Sequence, residues 1–211
     1  MFDRLEILSE DPTQTEAIAA VLGSFCLGGE LLALRGGLGA GKTCFVRGLA
    51  SGLGVEPTEI ASPTFVLCAI HQGERLDLAH MDAWRIASPD ELETIGFDEL
   101  RARDDMVVAV EWPERLGAAI GTPTVLVELS QGAPVSGGSA SSLRHIALSA
   151  RAEFIAALRQ RLARDPCRTC GRPTLVGAPT APFCSGRCRL ADLGAWFEGR
   201  HRILGGDDDP E

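Results

Sequence analysis

"LRGGLGAGKTC", residues 34–44, decides the fold. It follows the apolar run "ELLALRG", which reads as a buried strand, and leads into "KTCFVRGLASGLG", whose apolar positions recur with helical spacing before a closing glycine. Gly36 to Thr43 match G-x-x-x-x-G-K-[ST], and strand, glycine turn and helix together are the context that makes this pattern a phosphate-binding loop. Successive backbone N–H groups must converge on a triphosphate, and glycines keep side chains out of their way. The helix that follows turns its positive end toward the same phosphates. Lys42 is the only lysine of the chain, every other basic side chain being arginine. A compact ammonium fits inside a ring of amides where a planar guanidinium does not. Gly36, Leu38, Gly39, Ala40, Gly41, Lys42, Thr43 and Cys44 are therefore the expected nucleotide-binding set, with Thr43 offering a hydroxyl to Mg2+.

Outward from the loop, the pattern predicts an α/β domain. A helix is expected from Pro12 over "TQTEAIAAVLGSF", broken by Gly28 and Gly29. "TFVLCAIH" and "RLDLAHMD" read as a hairpin joined by "QGE". "SPDELETIGFDEL" reads as one helix with Ser88 as N-cap, Pro89 as first residue and Glu91 as the capping-box acid. "DMVVAVEW" fits a central strand, "TVLVEL" and "LRHIALSA" two more, and "SQGAPVSGGSASS" a flexible surface loop between them. The amphipathic "RAEFIAALRQRLAR" closes the domain before Asp165 and Pro166.

A phosphate loop needs carboxylates at neighbouring strand ends. Glu111 ends "MVVAVE", placed to hold Mg2+ directly or through water. Asp82 ends the strand before "AWR", and "SPT", Ser62 to Thr64, is placed for a loop that senses the γ-phosphate.

Charge is unevenly spread. Residues 1–150 carry 10 basic and 21 acidic side chains, residues 151–206 carry 10 and 4, and "DDDPE" ends the sequence. An acidic first part is poorly suited to gripping nucleic acid by itself, whereas the basic segment suits an acidic partner. With no apolar run long enough to span a bilayer and acidic residues in the opening "MFDRLEILSED", the expectation is a cytoplasmic protein with no membrane partner.

"LRGGLGAGKT", "SPTF", "HMDAWRI", "PDELETIGFDEL" and "VEWPE" resemble, in order and approximate spacing, the bacterial TsaE (YjeE) ATPases over about residues 3–163. The resemblance implies a P-loop ATPase of tRNA threonylcarbamoyladenosine synthesis. Its partners would be the TsaB and TsaD proteins, with tRNA reached through their complex and ATP turnover resetting it. It implies catalytic roles for Lys42, Asp82 and Glu111, with Asp82 the acid of an "HxDxYR" motif. Thr43 and Glu111 would stand at Mg2+, and Ser62 and Thr64 in the switch-like loop. Thr15 is carried over as a residue near the adenine, Trp84 stands where the family has tyrosine, and Trp112 agrees with the family. No arginine finger or lid is evident within the domain, which implies slow hydrolysis until partners complete the site.

Cys167-x2-Cys170 and Cys184-x3-Cys188 have the spacing of a zinc ribbon or knuckle, each pair bringing two thiolates to one side of an ion. So short a segment builds little core, so zinc would supply its folding energy, and Arg168, Arg172, Arg187 and Arg189 would offset the charge of four thiolates. Cys26, Cys44 and Cys68 lie in apolar runs and read as small core residues. "CRTCGRP" and "PFCSGRCRLADLGAWFEGRHRI" resemble the YacG family over about residues 166–204, which implies zinc and binding to the B subunit of DNA gyrase. Ala181 replaces that family's usual arginine; Leu190, Leu193, Trp196 and Phe197 form either a small core or a docking face.

The expected organisation is thus an ATPase domain at 1–164, a zinc module at 165–206 and an acidic tail at 207–211. A nucleotide-gated regulator of gyrase and a small P-loop phosphotransferase are the alternatives.

Overall fold

The computed structural model of the chain describes residues 1–64, 66–88, 91–132, 142–171, 173–177, 180–183 and 186–197. It divides into two compact units, Met1–Leu162 and Ala163–Glu211.

The first unit is a seven-stranded mixed sheet with helices against it. Its strands are β1 (Phe2–Ser9), β2 (Leu31–Arg35), β3 (Cys68–His71), β4 (Asp77–Asp82), β5 (Met106–Glu111), β6 (Val125–Gln131) and β7 (Arg144–Arg151). They lie in the order β1-β7-β6-β2-β5-β4-β3. The four central strands β6, β2, β5 and β4 run parallel, and β1, β7 and β3 are antiparallel additions at the two edges. Parallel strands are buried on both faces, which is why β5 is the uninterrupted apolar run "MVVAV" before Glu111.

Alternation along the strands sorts the core into two layers. Leu31, Ala33, Ala79, Met81, Met106, Val108 and Val110 pack with Leu92, Phe97, Leu100, Leu116 and Ile120 on one face. Leu32, Leu34, Leu78, Val107 and Ala109 turn to the other face and are fully buried. Helix α1 (Pro12–Phe25) packs on α2 (Lys42–Leu53), α2 contacts β4 and β5, and α5 (Ala152–Leu162) contacts β1 and β7. Asp11 caps α1 by accepting from the Gln14 N–H at 2.8 Å, and Pro12 occupies the first turn, where no N–H is needed.

Three expectations are corrected, and one strand is added. The "TFVLCAIH" strand shrinks to β3, because Leu67 takes a left-handed conformation (φ 63°) that ends the extended run. "SPDELETIGFDEL" is two short helices, α3 (Glu91–Thr94) and α4 (Phe97–Arg101), separated by Gly96 at φ 65°. The Glu91 carboxylate does accept from the N–H of Ser88 at 3.2 Å, as a capping-box acid should; Pro89 lies outside the described residues. The helix over "RAEFIAALRQRLAR" stops at Leu162, and its last residues open a strand of the second unit. β1 has no counterpart in the sequence reading. Its weak signal is the late alternation of buried Ile7 and Ser9 with exposed Glu6 and Leu8. Most of the Gly/Ser-rich loop, residues 133–141, and the acidic tail lie outside the described residues.

The second unit pairs β8 (Ala163–Pro166) with β9 (Pro173–Leu175) antiparallel and continues into α6 (Gly186–Phe197). Among the described residues, no helix is long and apolar enough to cross a membrane.

Candidate functional site

The loop after β2 lies where ligands bind in open parallel sheets, outside the carboxyl ends of the strands. Gly36 (φ 153°) and Gly41 (φ 102°) hold backbone conformations that a side chain would strain. At Gly36 a Cβ would also lie 2.5 Å from the Leu129 carbonyl oxygen, so the loop is pinned against β6. Gly41 is the residue before α2, and its left-handed turn aims the first N–H groups of that helix back into the loop.

Asp82 and Glu111 end neighbouring strands and are Cα partners in the β4–β5 register. By the pleat, His80 and Asp82 share one face of β4, the face on which Glu111 ends β5. The sequence positions therefore converge on one cleft of about 460 Å3. It is lined by the loop from Leu38 to Cys44 together with Ser62, Thr64, Asp82, Trp84, Arg85, Glu111 and Trp112.

Within the cleft the polar groups are organised. Thr43 Oγ1 donates to Glu111 Oε1 at 2.8 Å, and His80 Nε2 lies 2.9 Å from the same oxygen. Asp82 Oδ2 accepts from Ser62 and Thr64 hydroxyls, each at 2.6 Å, and Oδ1 accepts from the Trp84 N–H at 3.0 Å. Burial pushes the Asp82 carboxyl up, but the Ser62 and Thr64 hydroxyls, the Trp84 N–H and the nearby His80 outweigh it and hold the group below the usual aspartate range.

Lys42 donates to the carbonyls of Gly36 at 2.8 Å and Gly37 at 3.0 Å, and its Nζ lies 3.5 Å from the centroid of the Trp112 ring. Burial pulls its pKa down, opposed by the charges of Glu111, Glu114 and Asp82. Trp112 is itself in the left-handed region (φ 58°), where a bulky side chain is strained, and that turn brings its indole over the ammonium. Trp84 packs against Trp112 with centroids 4.5 Å apart, and the Arg115 guanidinium lies 4.9 Å from the Trp84 ring.

A hydroxyl beside a carboxylate is a set of hard oxygen donors suited to Mg2+. Thr15 is not brought to this cleft: it is buried in the first turn of α1, its hydroxyl 2.8 Å from Ser9 Oγ and 3.2 Å from the Asp11 carbonyl. Two contributions to the site escaped the sequence reading: Arg85, which lines the cleft, and His80, which is buried behind Glu111 and does not line it. Their signal was present, since both belong to "HMDAWRI".

In the second unit the sulfurs of Cys167, Cys170 and Cys188 lie within 4.8 Å of one another; Cys184 and Arg172 are outside the described residues. The Gly171 N–H donates to the Cys167 carbonyl at 2.8 Å, closing the turn that brings the first two cysteines together, and the Thr169 hydroxyl donates to the Cys188 carbonyl at 3.0 Å. Clustered soft thiolates on tight turns fit tetrahedral Zn2+. Cys26, Cys44 and Cys68 belong to the first unit. Burial pushes the thiol of Cys26 up to about 12 and those of Cys44 and Cys68 to about 11, the state of inert thiols. Cys26 is fully buried, and Cys44 and Cys68 are half-buried. Leu190, Leu193, Trp196 and Phe197 on α6 are all exposed.

The family model described as "Threonylcarbamoyl adenosine biosynthesis protein TsaE" matches residues 9–135, and that described as "DNA gyrase inhibitor YacG" matches residues 166–211. The chain is 40% identical over 125 residues to the tRNA threonylcarbamoyladenosine biosynthesis protein TsaE of Treponema pallidum, covering 59% of this chain and 90% of that protein. With the protein of the same name from Bacillus subtilis it shares 41% identity over 102 residues, 48% of this chain and 62% of that protein. The crystal structure of Bacillus subtilis YdiB superposes with a TM-score of 0.55 at 26% identity, covering 76% of this chain and 95% of that one.

Proposed function

Since the chain belongs to the TsaE family, we propose that its first unit is an ATPase serving threonylcarbamoyladenosine synthesis on tRNA, with the TsaB and TsaD proteins as partners. The observation that carries this reading is the convergence of Lys42, Thr43, Asp82 and Glu111 on one cleft beside the phosphate loop. Loop amides and the α2 terminus cradle the phosphates, and Lys42 leaves the Gly36 and Gly37 carbonyls to meet the β- and γ-phosphates. Thr43 and Glu111 would hold Mg2+, which would supply positive charge to offset that developing on the phosphoryl oxygens. Asp82, ionised and fixed by three donors, accepts a hydrogen bond from the attacking water. That water's oxygen bonds to the γ-phosphorus as the bond to the bridging oxygen breaks, giving ADP and phosphate. Ser62 and Thr64, tied to Asp82, are placed to register whether the γ-phosphate is present.

The chain's acidic first 150 residues favour contact with tRNA through the partner complex rather than directly. The division into an ATPase domain and a zinc module is part of the same proposal. Cys184 would complete the zinc site with the three clustered cysteines, and the module would bind the gyrase B subunit through its basic, apolar surface.

Nucleoside mass spectrometry of tRNA from strains lacking each half tests the assignment. Loss of threonylcarbamoyladenosine on deleting residues 1–164, and its persistence on deleting the zinc module, is the expected result. Unchanged modification in the first strain refutes the tRNA role and favours a nucleotide-gated regulator of gyrase.

A further inference from the structure

His80 is wholly buried (0% exposed), and the hydrogen bond of its Nε2 is to Glu111 Oε1 at 2.9 Å. Carboxylate oxygens are acceptors, so the imidazole N–H is the donor suited to this pair. Its Nδ1 is buried and makes no hydrogen bond to any described residue. An apolar side chain would fill the same volume of β4 without burying a polar ring; the side-chain hydrogen bond that His80 makes among the described residues goes to Glu111.

The register places it there. Asp82 pairs with Glu111 and His80 with Ala109, so β4 contributes one acid at the strand end and one donor a pleat deeper on the same face. Glu111 Oε1 is thus held by two donors of different kinds. The Thr43 hydroxyl, at the start of α2, is the donor that a cation would compete for, whereas the imidazole is buried within β4.

We propose that His80 is a positioning residue, fixing the Glu111 carboxylate so that it keeps its aim at the magnesium position when Thr43 gives up its bond. This rests on reading Thr43 and Glu111 as the Mg2+ residues. Supporting groups of this kind tune metal affinity about 10–100-fold without touching the metal.

The test is calorimetry of ATP binding to the full chain across a Mg2+ titration, for the parent, His80→Leu, His80→Gln and His80→Asn, each first checked for a cooperative thermal transition. His80→Leu should raise the Mg2+ concentration at half-effect by about 10–100-fold, with affinity in EDTA within about twofold of the parent. Glutamine carries an amide N–H near the reach of Nε2 and should restore the parent midpoint to within about threefold; asparagine is too short and should behave like leucine. If leucine does not fold, the asparagine–glutamine contrast decides the matter. A folded His80→Leu or His80→Asn with the parent Mg2+ midpoint, or a glutamine variant no better than asparagine, overturns the inference. A parent whose ATP binding ignores Mg2+ overturns the underlying reading as well, and does so before any substitution is made.

Discussion

The ammonium of Lys42 lies 3.5 Å from the centroid of the Trp112 ring while donating to the carbonyls of Gly36 and Gly37. The charge needed for a phosphate is thereby held in place by an aromatic face and two dipoles, at the end of a buried stem.

That geometry makes the lysine irreplaceable. Lys42→Arg should lower ATP affinity by at least about tenfold, because the wider planar guanidinium does not fit inside the ring of loop amides where a compact ammonium meets the phosphates. Calorimetry with Mg-ATP checks this; parent-like affinity in the arginine variant contradicts the proposed fit.

Asp82 should separate binding from hydrolysis. Asp82→Asn keeps the shape but loses the charged acceptor, so phosphate release should fall about 10²–10⁴-fold while ATP binding changes little. Its folded pKa is depressed, so its contribution to stability is fully present above the ordinary aspartate value of about 3.9 and is lost as pH falls through the lower folded value. The stability gap between parent and variant, followed by urea melts, should be flat from neutral pH to about 5 and narrow only below about 4.

Gly48 should tolerate no side chain. A Cβ there would lie 2.2 Å from the Glu16 carbonyl oxygen, where α1 crosses α2 backbone to backbone. The helices must part to admit it, so Gly48→Ala should cost about 1–3 kcal/mol in denaturant unfolding despite alanine's better helix propensity. A neutral or stabilising effect would show that the helices separate freely.

Zinc should belong to the second unit alone. Cys188→Ser should abolish binding of one zinc per chain, read by metal analysis, whereas serine at Cys26, Cys44 or Cys68 should leave the metal content unchanged. Chelation should remove a thermal transition of the second unit and leave that of the phosphate-loop unit in place.

By itself the sequence determined whatever depends on neighbouring residues: the left-handed turns of Gly36 and Gly41, the apolar run of β5, the capped start of α1 and the paired cysteines at 167 and 170. Each is written in a few consecutive side chains whose backbone preferences act locally. It could not say that "SPDELETIGFDEL" breaks at Gly96, because a single glycine is compatible with a continuing helix until Leu92, Phe97 and Leu100 each need a place in one core. It also left the outer strand β1 unread, since five of its eight residues are exposed and its pairing with β7 spans most of the domain. Only the tertiary structure decided that Thr43, His80 and Glu111 share one oxygen, that Trp112 covers Lys42, and that Thr15 turns inward to Ser9. The first two join segments dozens of residues apart, and strand register, enforced by burying both faces of a parallel sheet, is what brings His80 and Glu111 within hydrogen-bond distance; Thr15 and Ser9 are six residues apart, on either side of the turn into α1.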